Sequence, residues 1–270
     1  MASAQVKSAI LLAGLYADGV TSVTEPAVTR DHTERMLTAM GVDVSAEGNR
    51  IAVAGGQQLT GGSVQVPGDL SSAAFVMLAA CISDSADIRI ENVGINPTRT
   101  GVIDILRAMG ADIQIENADV RSGEPVADIR VRASQLRGID VDPALVSLAI
   151  DEFPVLFVAA ACADGVTRFS GIGELRVKES DRIGAMAAGL KALGIRVEET
   201  ADGAVVYGSK FGGGTVQSFG DHRIAMSLAI AGTVADAAVT VLDTDAVATS
   251  FPGFTSLIRS LGVTIEELAQ

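Results

Sequence analysis

The sequence contains no tryptophan, and aromatic side chains make up only 4% of its 270 residues. It has two cysteines, which excludes a disulfide scaffold and fits a reducing, cytoplasmic compartment. Basic residues are also scarce, because 20 lysines and arginines face 33 acidic residues, for a net charge of −13. Such an acidic balance argues against nucleic acid or an anionic membrane as a partner, since both require a basic face.

Several short motifs of known chemistry are also missing. The sequence has no P-loop, no strand-linked dinucleotide glycine motif, no HExxH zinc motif and no nucleophile elbow. Two histidines and two separated cysteines do not form a zinc site. We expect no apolar run of the roughly 18 residues that a membrane span requires, and no signal peptide. The glycine-rich run at 210–216 is interpreted as a loop.

What the sequence does contain is a repeat. Hydrophobic residues form 48% of the chain, and they recur in two patterns. In the first, a small and aliphatic helix is followed by a turn and a strand; these segments begin at Val6, Ser71, Asp151 and Asp221. In the second, an amphipathic helix ends at a glycine and a strand follows; these glycines are Gly41, Gly110, Gly194 and Gly262.

The two patterns combine into a unit of helix, strand, helix and one or two strands, which predicts an α/β (α+β) fold of repeated units. Turn residues after Gly41 and Gly194 predict hairpins. A run of Gly, Pro and Ser divides the chain into a single-repeat domain, 1–66, and a three-repeat domain, 67–270. The first unit opens on its helix and the fourth stops early. We therefore expect a fragment or half of a split protein, with a complete chain as the alternative.

Charged side chains cluster where several of these helices begin. Lys178, Arg182 and Arg223 oppose the helix dipole, so they are poorly placed for stability and well placed to bind a phosphate or carboxylate. The alternative is an ordinary exposed helix start with acidic caps. Asp151 precedes one of the most apolar runs of the chain, where a carboxylate needs partners or a raised pKa. It is either a helix cap or a general acid or base.

Eight motifs occur in a fixed order: SAQVKSAILLAGL, TRDHTERM, VPGDLSSAAF, NPTRTG, IDEFPVLFVAAA, LRVKESDRI, DHRIAM and ATSFPGF. Together they resemble the C-terminal portion of the EPSP (5-enolpyruvylshikimate-3-phosphate) synthase family. LRVKESDR followed by DHRIAM is the most specific pair. SAQ, TRDHTE and ATSFP resemble the class II, glyphosate-tolerant branch. The resemblance implies the enolpyruvyl transferase fold, an inside-out α/β barrel of βαβαββ units, here incomplete.

The resemblance also implies a reaction. An enolpyruvyl group passes from phosphoenolpyruvate to the 5-hydroxyl of shikimate 3-phosphate in the shikimate pathway of aromatic amino acid biosynthesis, without a metal or organic cofactor. The implied shikimate 3-phosphate contacts are Ser3, Ala4, Gln5, Arg30, Asp151 and Lys178. The implied phosphoenolpyruvate contacts are Gln5, Lys178, Arg182, His222 and Arg223. The implied catalytic groups are Asp151 as proton acceptor, Glu179 as proton shuttle and Lys178 between the substrates.

Three positions depart from the commonest family pattern. Thr249 stands where many members have lysine, Ala4 replaces a second serine, and His32 stands where an aromatic ring often stacks on the shikimate ring. The N-terminal part of the family has no counterpart here, so we expect the chain to be inactive alone and to need the missing N-terminal half in trans. The alternatives are a UDP-N-acetylglucosamine enolpyruvyl transferase and a non-catalytic domain that binds anions or a partner.

Overall fold

A computed structural model describes residues 3–268. The first repeat lies in residues 3–66, here called the small part. Its elements are α1 (Ala4–Gly14), β1 (Val20–Thr24), α2 (His32–Ala39), β2 (Val44–Glu47) and β3 (Arg50–Ala54). The strands form an antiparallel sheet in the order β1-β3-β2, with β2 and β3 as the predicted hairpin. Ser3 caps α1, because its side chain accepts a hydrogen bond from the Val6 amide.

The remaining residues, 67–268, are called the large part, and the second repeat opens it. Its elements are α3 (Leu70–Cys81), β4 (Asp87–Gly94), α4 (Gly101–Ala108), β5 (Asp112–Arg121) and β6 (Glu124–Arg132). The sheet order is β4-β6-β5, so the middle strand is again the last in sequence. Asp69 caps α3 by accepting from the Ser72 amide, and this marks the start of the repeat.

The third repeat begins with a helical run in four pieces. A 3₁₀ turn (Pro143–Leu145), α5 (Val146–Ala149), a second 3₁₀ turn (Ile150–Glu152) and α6 (Phe153–Cys162) follow one another directly. Then come β7 (Val166–Phe169), a 3₁₀ turn (Gly173–Val177), α7 (Arg182–Ala192), β8 (Arg196–Glu199) and β9 (Ala204–Tyr207). The sheet order β7-β9-β8 repeats the arrangement of the first two units, and β8 and β9 form the second predicted hairpin.

The fourth repeat differs from the prediction in two places. Its elements are β10 (Gly214–Gln217), α8 (His222–Gly232), β11 (Val239–Leu242), α9 (Ala246–Ser250) and α10 (Phe254–Ser260). The run 210–216 is not entirely a loop, because Val216 pairs with Val241 in a parallel two-stranded sheet. The strand expected after Gly262 is not formed within the described residues. In place of strand pairing, the Ile265 carbonyl accepts a hydrogen bond from the Arg259 guanidinium.

The four helix-ending glycines have the backbone conformation that the sequence pattern predicts. Gly41, Gly110, Gly194 and Gly262 have φ angles of 87°, 99°, 89° and 92°. This left-handed region is open to glycine at little cost and strained for other residues. The recurrence of one such glycine in each unit confirms the repeat.

The buried apolar side chains form two separate clusters. The smaller one lies wholly in the small part and joins α1, α2 and β3 through Leu11, Leu37 and Val53. The larger one runs from Leu70 to Ile258 and joins all three repeats of the large part. This separation supports the proposed division of the chain between residues 66 and 67.

One expectation about apolar runs is wrong. The continuous helical segment Pro143–Cys162 is long and apolar enough, by length and composition, to cross a membrane. Its most apolar window is 61% buried inside the fold, and α6 packs against α8 and α7 in the core. Two charged residues, Asp151 and Glu152, interrupt the apolar sequence of this segment. The sequence alone therefore does not indicate a single apolar run, although the four short helices follow one another directly. The core helix of a soluble protein passes the same test.

Candidate active site

Asp151 lies where three repeats meet. It is in the 3₁₀ turn before α6, and cations reach its carboxylate from both parts of the chain. Arg30 of the small part donates Nη2 to Oδ2. Lys178 Nζ and Arg182 Nη1 lie 3.6 and 3.7 Å from Oδ1. Arg223 Nη1 donates to the backbone carbonyl of Asp151 at 2.9 Å. The structure thus brings together five residues that the sequence placed in the site.

The surrounding cations decide the ionisation of Asp151. Burial alone would raise the pKa of this carboxyl group, but Arg223 and Arg30 outweigh burial and lower the pKa to about 2. The side chain is therefore ionised at neutral pH. The sequence leaves two possibilities for the Asp151 carboxylate, charged partners or a raised pKa, and the structure shows charged partners. An ionised carboxylate can accept a proton, so the geometry favours a base over an acid.

Arg182 and Asp221 tie the starts of α7 and α8 together. Arg182 is 2% exposed, and its Nε donates to Asp221 Oδ2 at 2.8 Å. Its Nη2 donates to Glu179 at 2.6 Å. Asp221 caps α8 by accepting from the Arg223 amide at 2.9 Å, and it also accepts from Ser180 Oγ at 3.0 Å. Arg182 and Arg223 both lie in the first turn of a helix, as the sequence predicts.

The other predicted residues of the large part lie around this pair. Lys178 is in the loop before α7 rather than in a helix, and its Nζ also contacts Glu174 at 2.6 Å. The Glu179 side chain is 58% exposed, so a bound molecule can reach it. His222 opens α8, where burial and the positive charge of Arg223 lower its pKa. Its imidazole is therefore neutral at neutral pH.

The residues at the start of α1 stand apart from the Asp151 cluster. Ser3 Oγ donates to Gln5 Oε1 at 3.2 Å, and Ala4 begins the helix. Within residues 3–268, no hydrogen bond or ion pair joins these three residues to Asp151. Their predicted contacts with a substrate remain a prediction.

Sequence reasoning missed a joint between the small and large parts. His32 Nδ1 lies 2.7 Å from Glu124 Oε1. The Asn96 amide donates to Asp31 at 2.6 Å and to Glu124 at 3.1 Å. These contacts, together with the ion pair of Arg30, hold the small part against the large part beside Asp151. The TRDHTERM and NPTRTG motifs adjoin or include most of these residues, but their pairing could not be inferred without the fold.

A second set of residues that the sequence did not indicate surrounds Glu152, which follows Asp151 directly. Glu152 is 4% exposed, and its Oε1 accepts a hydrogen bond from Ser71 Oγ. Ser71 Oγ in turn accepts from Arg99 at 2.6 Å. Arg223 Nη1 lies 3.5 Å from the same Glu152 oxygen. The apolar run after Glu152 signalled a buried position, but nothing in the sequence indicated its partners.

Comparison with known proteins identifies the family. The sequence model of EPSP synthase (3-phosphoshikimate 1-carboxyvinyltransferase) matches residues 1–258. The chain belongs to the EPSP synthase family. This assignment favours EPSP synthase over the UDP-N-acetylglucosamine enolpyruvyl transferase considered above, and it agrees with the two motifs that are most specific in the sequence.

Curated EPSP synthase relatives align with nearly the whole chain. A 3-phosphoshikimate 1-carboxyvinyltransferase of Nitrosococcus oceani is 58% identical over 265 residues, which cover 98% of this chain and 60% of the relative. One from Alkalilimnicola ehrlichii is 58% identical over 266 residues, with the same coverage. A solved EPSP synthase of Acinetobacter baumannii superposes with a TM-score of 0.95 at 56% identity, covering 98% of this chain and 62% of that structure. The α/β enolpyruvyl transferase fold is thereby confirmed.

The coverage is unequal in the two directions. The chain spans about 60% of the length of the curated relatives it matches. What a complete EPSP synthase binds and does is therefore a separate question from the membership of this chain in the family.

Proposed function

We propose that this chain forms the part of a 3-phosphoshikimate 1-carboxyvinyltransferase that binds phosphoenolpyruvate and supplies the proton acceptor. The observation that carries the proposal is the convergence of Arg30, Lys178, Arg182 and Arg223 around the ionised Asp151. An acidic chain that gathers four cations at one place has a local site for anions, whatever its overall charge.

In the proposed reaction, Asp151 accepts the proton of the 5-hydroxyl of shikimate 3-phosphate as that oxygen attacks C2 of phosphoenolpyruvate. Glu179 donates a proton to the methylene carbon, which gives a tetrahedral intermediate. Loss of phosphate from C2 and return of a proton from the new methyl group to the Glu179 carboxylate then yield the enolpyruvyl ether. Lys178 lies close enough to Asp151, at 3.6 Å, to stabilise charge between the two substrates.

The arginines have different access to a ligand. The Arg223 side chain is 17% exposed, and its planar guanidinium suits a carboxylate or phosphate. Arg182 is nearly buried and already paired with Glu179 and Asp221. In the proposed binding mode, a ligand oxygen replaces the Glu179 carboxylate on Arg182 Nη2. Such an exchange would also free Glu179 for proton transfer. His222, which is neutral and adjacent to Arg223, is proposed as a further phosphoenolpyruvate contact.

On the shikimate 3-phosphate side, we propose contacts from Ser3, Ala4, Gln5 and Arg30. The support is the position of Arg30 on Asp151 and the exposed cap of α1.

The class II, glyphosate-tolerant assignment rests on the SAQ, TRDHTE and ATSFP motifs. A cytoplasmic location is proposed because the sequence has only two cysteines, which fits a reducing compartment. Resistance of the active enzyme to glyphosate would support the class assignment, and inhibition typical of sensitive enzymes would contradict it.

Catalysis is proposed to require the remaining part of the family's length, supplied in trans. Apolar side chains on α1 support this view, because Val6, Ile10 and Leu12 are 59%, 38% and 42% exposed. Val6 and Ile10, four residues apart, therefore share an exposed side of the helix, and Leu12 is exposed on a different side. The reaction also needs two substrates held at about 3–3.5 Å in a closed cleft, and acid–base groups alone supply only about 10²–10⁴-fold acceleration.

Phosphate release from the two substrates tests the proposal. The chain is assayed alone and together with the N-terminal 40% or so of the Nitrosococcus oceani relative. We expect turnover only in the mixture, and its loss in Asp151→Asn and Glu179→Gln. Robust turnover by the chain alone would contradict the need for a second part. Anion binding without turnover in a folded, assembled mixture would favour the non-catalytic alternative.

A further inference from the structure

Arg223 forms an ion pair with Glu152, which is in turn hydrogen-bonded to residues that the proposed reaction does not use. Glu152 Oε1 lies 3.5 Å from Arg223 Nη1 and accepts from Ser71 Oγ. Arg99 donates to that hydroxyl at 2.6 Å and also contacts Asp69 at 3.1 Å. This chain of contacts therefore runs from the start of α3 and the loop before α4 to the start of α8.

The burial of Glu152 makes this arrangement unusual. Its side chain is 3% exposed, whereas that of the preceding Asp151 is 16% exposed and faces the cations of the site. A buried carboxyl without a structural or functional partner is costly. Here the carboxyl has a hydroxyl donor on one side and a guanidinium on the other, so its position determines where the Arg223 side chain lies.

We propose that Glu152 is a positioning residue for Arg223 and that Ser71 and Arg99 hold it in place. Arg223 Nη1 is then fixed by two oxygens, the Glu152 carboxyl and the Asp151 carbonyl at 2.9 Å, which leaves its other nitrogens available to an anion. This inference rests on the proposed function only in taking Arg223 as the group that binds the anion of phosphoenolpyruvate.

The ionisation of Glu152 adds a measurable consequence. Burial raises its pKa, and Arg223 and Ser71 offset only part of that rise. The charged and titratable groups around it are Asp151 on its own turn, Asp69 near the start of α3, Arg99 before α4, and His222 and Arg223 on α8. When Glu152 ionises at higher pH, its negative charge repels an anion bound to Arg223. Anion affinity should then fall.

Sulfate is the probe, because it keeps its double charge between pH 5 and pH 8 and phosphoenolpyruvate does not. Sulfate affinity is obtained from the sulfate-dependent rise in melting temperature, followed by circular dichroism at constant ionic strength. The variants are Glu152→Gln, which keeps the shape without the charge, and Glu152→Ala, which removes both. Glu91→Gln on the exposed face of β4 is the matched control.

Two results are expected. The affinity of the wild type for sulfate falls relative to that of Glu152→Gln as the pH rises and Glu152 ionises, by roughly fivefold in full, as expected for one added charge a few ångströms away. The comparison with Glu152→Gln cancels the titration of His222, which both proteins share. Glu152→Ala binds sulfate at least threefold more weakly than Glu152→Gln at both pH values, because Arg223 has lost an anchor.

Equal sulfate affinity in Glu152→Ala and Glu152→Gln at every pH would overturn the positioning role, provided that circular dichroism shows both variants to be folded. If Glu152→Ala does not fold, Ser71→Ala replaces it as the test, because it removes the hydroxyl that holds Glu152, and a sulfate affinity equal to that of the wild type then overturns the inference. Arg223→Ala separates this inference from the proposed function. If Arg223→Ala binds sulfate like the wild type, the anion site itself is wrongly assigned.

Discussion

Removing the buried Arg182 side chain should cost the large part a substantial share of its stability. Arg182→Ala leaves the Asp221 carboxylate, which is 0% exposed, without its 2.8 Å partner. Two donors remain to Asp221, namely Ser180 Oγ at 3.0 Å and the Arg223 amide at 2.9 Å. Breaking a buried ion pair by removing one partner costs about 3–5 kcal/mol. Because Asp221 keeps these two donors, we expect the lower end, about 3 kcal/mol.

The pH dependence of this loss has a definite sign. In the wild type, burial opposes ionisation of Asp221, but the hydrogen bond and charge of Arg182 outweigh burial and hold its pKa below the ordinary value. In Arg182→Ala, burial acts without that opposition, so the pKa of Asp221 should rise. The wild type then loses stability as the pH falls through the lowered pKa, whereas the variant loses stability as the pH rises through the raised one. The difference between the two should be large at pH 7 and smaller at pH 4.

Urea unfolding followed by far-ultraviolet circular dichroism measures both effects. The double variant Arg182→Ala with Asp221→Asn removes the charge that Arg182→Ala leaves uncompensated, and it should recover about 2 kcal/mol. Arg259→Ala, at an exposed position on α10, controls for the loss of an arginine as such. A loss below about 1 kcal/mol in Arg182→Ala, or no recovery in the double variant, would refute this account of the buried pair.

Three further outcomes are expected. Asp151→Asn should be less stable than the wild type at neutral pH. This difference in stability should disappear as the pH falls from 4 to about 2, because the wild type then loses the stabilisation that comes with its lowered Asp151 pKa; acid titration followed by circular dichroism measures it. Gly55→Ala should destabilise the small part by about 1–3 kcal/mol or more, because the added Cβ would lie 1.7 Å from a backbone carbonyl oxygen, whereas Gly61→Ala, with open space around it, should be near neutral in urea unfolding. Burial raises the pKa of the fully buried Cys81 thiol to about 12, so a thiol reagent at pH 8 should label Cys81 only after unfolding, whereas the partly exposed Cys162 should react sooner.

Local chemistry explains why so much of the repeat could be predicted. Helix ends require a residue that tolerates positive φ, so Gly41, Gly110 and Gly194 marked the same point of three units. Caps act over three residues, so the start of α3 at Asp69 is likewise determined by local residues. The fourth unit was predicted less well, since the parallel pairing of β10 with β11 is set by residues that are more than twenty positions apart.

The site could be predicted only in composition. The residue types around Asp151 indicated an anion site, and helix starts indicated where Arg182 and Arg223 lie. The partners of Asp151 could not be deduced, because Arg30 comes from another repeat, 121 positions away. For the same reason Glu152, Ser71 and Arg99 were not recognised as one chain of contacts. Long-range pairing depends on how repeats pack, and a repeat pattern does not specify that packing.

Asp151 and Glu152 show how adjacent residues can acquire opposite acid–base character. Burial and the site cations leave Asp151 with a pKa of about 2, while burial raises the pKa of Glu152. Such separation assigns distinct roles to two carboxyls. A pKa of about 2 makes Asp151 a weak base in the ligand-free chain. Arg223 contributes most to lowering it, so an anion bound to Arg223 should offset that charge and raise the pKa of Asp151. In the proposed reaction, binding of phosphoenolpyruvate would thus strengthen Asp151 as the proposed base before the hydroxyl proton is removed.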